Sequence, residues 1–211
     1  MTQHEPATGT TRGLSRRRVL AAAGAAAASG IAALLSGCAA EDPLAAQARA
    51  GDNKNYVAGD GSVTEYTAAQ RKDPIAFTGT LYDGTRVSSS DFVGGVTVLN
   101  FWFAACAPCR VEAPELEALH AEFAPQGVRF YGVNLRDEQG TAGAFEQTFG
   151  VSYPSFNDAD GQVLLAVAGM VPPGAVPTTL VLDKQGRVAS RVLGQLERGT
   201  LKALISSAAA E

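Results

Sequence analysis

From Asp73 to the C-terminus the chain switches repeatedly between two periods of apolar residues. The stretch IAFTGTLYDGTRVSSSDF alternates around Asp83-Gly84, which predicts a β-hairpin with a favoured two-residue turn. Val96 to Phe103, VTVLNFWF, is a nearly continuous apolar run rich in β-branched and aromatic residues, and predicts a strand buried on both faces. Pro108 to Phe123 changes period, with Val111, Glu115, Leu116, Leu119 and Phe123 at helical spacing. VRFYGVNL, residues 128–135, predicts a second buried strand. TAGAFEQTFG, residues 141–150, predicts a helix with Thr141 as its N-cap and Gly150 at its end. A short extended segment around Tyr153–Phe156 and a helix near residues 161–168 follow. TTLVLD (178–183) and RVASRVL (187–193) flank Lys184-Gln185-Gly186 as a second hairpin, and residues 196–209 close the chain as a helix.

This order implies an α/β fold. A β-α-β start requires parallel strands joined by a right-handed crossover, and the later hairpin adds antiparallel ones. The expected architecture is a mixed central sheet with helices on both faces, an N-terminal hairpin and a central β/α insertion. Residues 38–73 are rich in Ala, Gly, Asp and Asn with little periodicity. They read as a flexible tether with a short strand near Val63–Tyr66, which assigns the folded domain to 74–211.

The first 37 residues have a different character. SRRRVL, Ser15 to Leu20, is followed by an uncharged Ala- and Gly-rich segment to Gly37, the pattern of an export signal. The segment from Val19 to Gly37 is about long enough to cross a bilayer, but its alanines and glycines leave it only weakly apolar for a spanning helix. The arginines resemble the twin-arginine export motif. Leu35-Ser36-Gly37-Cys38 resembles the lipobox of bacterial lipoproteins, in which the cysteine is lipidated and becomes the new N-terminus. The other reading is an unmodified Cys38 beside a conventional cleavage site near Ala39. The resemblance implies a protein on the extracytoplasmic face of the membrane, anchored through Cys38, with the additional acyl chains that stable attachment requires.

Charge and cysteine count then narrow the chemistry. With 46% hydrophobic and 18% charged residues the chain has the makings of a packed core. Removing residues 1–37 takes away four arginines and one glutamate, leaving 13 basic against 20 acidic residues, a net −7. Nucleic acid is not an expected partner of such a surface. If Cys38 carries lipid, the odd cysteine of three is explained and a lone pair remains, Cys106-Ala107-Pro108-Cys109, in a compartment where disulfides persist.

That pair has three readings. Structural zinc needs four ligands, and His120, eleven residues beyond Cys109, is the only histidine after the leader. His120 reads as a helix-side residue, and no metal or other cofactor is expected. A structural staple closing so short a loop removes little unfolded-state entropy. The redox reading has a mechanism. The strand ends near Phe103 and Pro108 suits a first helical turn, so Cys106 falls at a helix N-terminus where free N–H groups and the dipole stabilise a thiolate. Cys109, one turn on, is within bridging range and can release a mixed disulfide formed by Cys106.

At NFWFAACAPC, its continuation RVEAPEL, and VPTTLVLDKQGRV the sequence resembles the thioredoxin superfamily, and within it the exported TlpA/ResA-like thiol–disulfide oxidoreductases. The resemblance covers about Pro74 to the C-terminus and implies a thioredoxin-like sheet. It implies that Pro177 is the cis proline facing the cysteines and that Val176 offers backbone groups to an extended client. Trp102 packs beneath the site in this view, and Pro108 lies with Val176, Pro177 and Trp102 where clients are bound. For Pro177 a plain strand-start proline, and for Trp102 a plain core residue, are the alternatives. Pro114 matches a helix-kinking proline. Glu112 matches an acid near the cysteines that could accept or relay the proton of Cys109, against the ordinary reading of an exposed first-turn acid. Asn100 stands where cytoplasmic thioredoxins carry a buried acid, so that position cannot relay a proton. Ala105 replaces the usual tryptophan, so shielding of Cys106 should differ. Residues 145–170 look like the branch's insertion, and PPG at 172–174 like a rigid loop beside Pro177.

The Ala-Pro pair resembles the Gly-Pro of reducing enzymes more than the Pro-His of strong oxidants. The expected activity is reduction of client-protein disulfides with electrons from a membrane donor, with apocytochrome c thiols as one client class. Three other readings are weighed against it. A peroxidase of this fold would want Thr and Pro where Phe103 and Leu99 stand, a copper chaperone would want CxxxC and a distal histidine, and a binding lipoprotein with an incidental disulfide needs neither.

Overall fold

The computed structural model describes residues 56–172 and 174–211. The leader, Cys38 and the first part of the tether lie outside the described residues, as does Pro173 of the PPG loop.

Among the described residues eight strands form two sheets. The strands are β1 (Ser62–Glu65), β2 (Thr78–Thr80), β3 (Arg86–Ser88), β4 (Thr97–Trp102), β5 (Arg129–Asn134), β6 (Ser155–Asn157), β7 (Thr178–Leu182) and β8 (Val188–Leu193). The helices are α1 (Ala107–Phe123), α2 (Gln139–Phe149), α3 (Gln162–Ala166) and α4 (Arg198–Ala210). The main sheet runs β1-β8-β7-β4-β5-β6, while β2 and β3 form the separate hairpin. β4, β5 and β6 are parallel, and β7, β8 and β1 add in antiparallel fashion, so the sheet is mixed as expected.

Every residue of β4 is buried because both faces of the sheet are covered. The alternation along the strand divides the core in two. Val98 points with Phe130, Val181 and Val192 to the side of α1 and α4, where Leu116, Leu119, Leu201 and Ile205 fill the layer. Leu99 and Phe101 join Phe92, Phe145, Phe156 and Val163 on the side of the hairpin, α2 and α3. Asn100 has the parity of Val98, so it is aimed at α1.

Three boundaries differ from expectation. The domain does not begin at Pro74: within the supposed tether, β1 pairs antiparallel with β8 from Ser62↔Leu193 to Glu65↔Ser190, and Arg71 pairs with the buried Asp183 at 2.9 Å. The short strand expected near Val63–Tyr66 is β1, one residue earlier, and its pairing with β8 makes it part of the main sheet rather than of a tether. Thr141 is not an N-cap. α2 starts two residues earlier because the N–H groups of Thr141 and Ala142 both donate to the Glu138 carbonyl. At its other end Gly150 takes φ 70°, the left-handed conformation that a glycine adopts without cost. The last helix starts at Arg198 rather than Leu196, whose N–H is engaged by a side chain of α1.

Candidate active site

Cys106 is the N-cap of the 17-residue α1, and Pro108 stands in the first turn. The Cys106 Sγ accepts the N–H of Cys109 at 3.3 Å, the place an oxygen takes at an ordinary N-cap. The two cysteines are joined as a disulfide, with Cα atoms 5.3 Å apart. The positive end of the helix dipole lies at this sulfur and favours negative charge there.

The loop before Cys106 is held from β5. Asp137 Oδ2 accepts the N–H of Ala104 at 2.6 Å and the Asn134 side-chain amide at 2.9 Å. Asn134 Oδ1 in turn accepts the N–H of Asp137 at 2.8 Å. The hairpin adds Tyr82, whose hydroxyl donates to the Asp137 carbonyl at 2.7 Å. The sequence carried no signal for this clamp, since its parts come from three separate segments.

Glu112, one turn beyond Cys109, is buried with 1% of its surface exposed, so the reading of it as an exposed helix acid is overturned. Asn100 explains how an acid is tolerated there. Its amide donates to Glu112 Oε1 at 2.8 Å, and the Leu196 N–H donates to Oε2 at 3.0 Å. Asn100 also donates to Thr179 Oγ1 at 3.1 Å, tying β4 to β7. Burial pushes the Glu112 carboxyl up to about 8, against the opposing pull of the Leu196 and Asn100 hydrogen bonds. A cavity of about 10 Å³ lined by Cys109, Asn100, Trp102 and Tyr153 lies alongside. Glu112 and Cys109 are three residues apart on α1, the spacing of neighbours on one helix face, and both are buried.

The other expected positions are distributed as follows. The Val176–Pro177 peptide is cis, and both residues are buried. Val176 does not hold a free N–H: it donates to the carbonyl of Val57 at 3.2 Å. Trp102 is 4% exposed and stacks on Phe145 with centroids 4.3 Å apart. Pro114 lies inside α1, and Ala105 is exposed beside the buried cysteine. His120 sits on the side of α1 within 3.2 Å of Ser152 Oγ and edge-on to Phe130 and Tyr153, far along the helix from the cysteines.

The chain as a whole has counterparts among known proteins. Residues 71–191 match the model of the AhpC/TSA family. The chain belongs to that family. Within it, the chain is 30% identical over 125 residues to the thiol-disulfide oxidoreductase ResA of Geobacillus thermodenitrificans, covering 59% of this chain and 70% of that one. It is 34% identical over 114 residues to ResA of Bacillus subtilis, where the match spans 54% of this chain and 62% of the relative. Among solved structures, a secreted thiol-disulfide isomerase from Corynebacterium glutamicum superposes with a TM-score of 0.64 at 31% identity, over 72% of this chain and 95% of that one. The fold is thioredoxin-like, and this AhpC/TSA family member is a thiol–disulfide oxidoreductase.

Proposed function

We propose that Cys106 is the attacking thiol and Cys109 the resolving thiol of an exported enzyme that reduces disulfides in client proteins. The observation that carries this reading is the position of Cys106 at the N-cap of α1, bonded to Cys109. In the reduced enzyme the Cys106 thiolate attacks one sulfur of a client disulfide. A Cys106–client disulfide forms and the second client sulfur leaves as a thiolate. Cys109 then gives its proton to Glu112 and attacks Cys106 Sγ, which releases the first client sulfur. Two electrons have moved to the client, whose thiolates take up two protons, and the enzyme disulfide is restored to the dithiol by a membrane-bound dithiol donor.

Anchorage through lipid on Cys38 at the outer face of the cell membrane fits this scheme, since both donor and exported clients are met there. The Ala-Pro pair between the cysteines favours the reducing direction, and apocytochrome c thiols awaiting haem are a suitable client class. In the test, Cys109→Ser is expected to retain clients as mixed disulfides on a non-reducing gel, and Cys106→Ser to retain none. An empty lane for Cys109→Ser would overturn the roles. A glutathione equilibrium placing the pair near about −120 mV, the range of strong oxidants, would overturn the direction.

A further inference from the structure

The backbone slot beside Pro177 is filled by the chain itself. Val57 lies across from Ala175 in a parallel bridge, its N–H donating to the Gly174 carbonyl at 2.9 Å and its carbonyl accepting from Val176 at 3.2 Å. The neighbouring Tyr56 meets Phe103 edge-on, with centroids 5.6 Å apart and planes at 70°. Phe103 leads directly to the nucleophile, for its carbonyl accepts the Cys106 N–H at 3.1 Å. Arg136 lies over the same ring at 3.8 Å. Just downstream, Gly59 runs backbone to backbone with Gly194, so closely that a Cβ on Gly59 would come within 2.3 Å of Gly194 N. Gly194 itself donates to the Pro177 carbonyl at 2.8 Å. The segment is thus pinned beside the slot by this contact and by β1.

Cys106 has 0% of its surface exposed. A client sulfur must reach Cys106 Sγ for exchange to occur, and Tyr56 packs on Phe103, whose carbonyl holds the Cys106 N–H. The Val176 N–H, the group suited to align an extended client, is the one that Val57 holds. We propose that Tyr56–Val57 is an intramolecular occupant of the client slot, and that clients are extended segments that displace it by pairing with residues 174–176 and placing a bulky apolar side chain on Phe103.

This inference rests on the exchange reading above. An occupant on the same chain acts at an effective concentration in the millimolar range for a short linker, so two hydrogen bonds and one ring contact suffice to hold the slot against a dilute non-client. A true client prevails through contacts of its own. The recognition is strand addition, in which main-chain bonds supply affinity and alternate side chains supply selectivity.

The test uses the full chain with Val57→Pro, which removes the donor to Gly174, and Tyr56→Ala, which removes the ring. Amide hydrogen exchange at Val176 in the oxidised protein is expected to quicken roughly tenfold in Val57→Pro, as loss of one or two backbone hydrogen bonds implies. In the reduced protein both variants should show faster iodoacetamide alkylation of Cys106 and a lower KM for insulin reduction. An acetylated peptide copying residues 53–60 should inhibit Val57→Pro more strongly than the parent. Unchanged Val176 exchange together with unchanged alkylation in both variants overturns the proposal. If no form reduces insulin, the parent included, while Val176 exchange still quickens, occupancy of the slot stands and the exchange reading fails.

Discussion

At the scale of single residues the acid at 112 has the largest consequence. Cytoplasmic thioredoxins, which the sequence resembles at this strand, carry an acid where Asn100 stands. Here the acid is on the helix and the strand residue is its donor, at 2.8 Å. The folded state binds this proton more tightly than the unfolded chain, with the carboxyl raised from an ordinary 4.5 to about 8. The resulting stability is fully present below the unfolded value and is lost as pH rises through the folded one, at up to about 1.4 kcal/mol per pH unit. Urea denaturation from pH 5 to 9 should therefore show falling stability in the parent and a flatter profile in Glu112→Gln. That variant should be less stable at pH 5 by about 1–2 kcal/mol, because its amide nitrogen must face one of the two N–H donors. In single-turnover reduction, release of the mixed disulfide should accelerate through pH 8 in the parent and lose that inflection in Glu112→Gln. A shared inflection would remove Glu112 from the proton path.

At the scale of elements, the site depends on how closely β5 approaches its neighbours. A Cβ on Gly132 would come within 2.3 Å of Ser155 Oγ and 2.6 Å of Trp102 Nε1. Gly132→Ala must then push β6 or the indole aside, and the expected cost is about 1–3 kcal/mol, the range for overpacking a tight site. Chemical denaturation measures it, and loss of the Trp102 fluorescence signature would report the displaced ring. The hairpins, β4, β5 and α1 were legible because apolar period and turn chemistry agree within each segment. The start of α2 was not. Thr141 is a good capping residue, yet the Glu138 carbonyl closes the turn, and capping preference is a weaker constraint than the direction from which β5 delivers the chain. The burial of Glu112 was equally hidden, since it depends on Asn100 and Leu196 arriving from β4 and the loop before α4.

At the scale of the whole molecule, residues 56–73 join the two ends of the described fold. Arg71 donates to Asp183 at the end of β7 and also pairs with Glu211 at the C-terminus. The side chains of Arg71 and Asp183 are 5% and 1% exposed, so this is a shielded ion pair rather than a surface one. Arg71→Ala leaves Asp183 with Arg187, at 2.9 Å, as its remaining cationic partner. We expect a loss of about 2–3 kcal/mol, somewhat below the full cost of isolating a buried charge. A thermal or urea midpoint unchanged by Arg71→Ala would show that this segment adds nothing to the fold. The same segment carries Tyr56 and Val57, so with the slot occupied as proposed, loosening the N-terminal run is expected also to open access to Cys106.

Local chemistry determined a good deal from the sequence alone: the buried strands, the helix behind Cys106, the spacing that lets two cysteines bridge, and the proline before β7. Each of these is written in residues adjacent along the chain, where periodicity and backbone preference act. Only the tertiary structure decided that Glu112 is buried and hydrogen-bonded, that Asp137 clamps the loop before Cys106, and that Val57 occupies the backbone of Val176. Those outcomes depend on partners brought from tens of residues away, because burial and hydrogen bonding are properties of surfaces that exist once the sheet has closed.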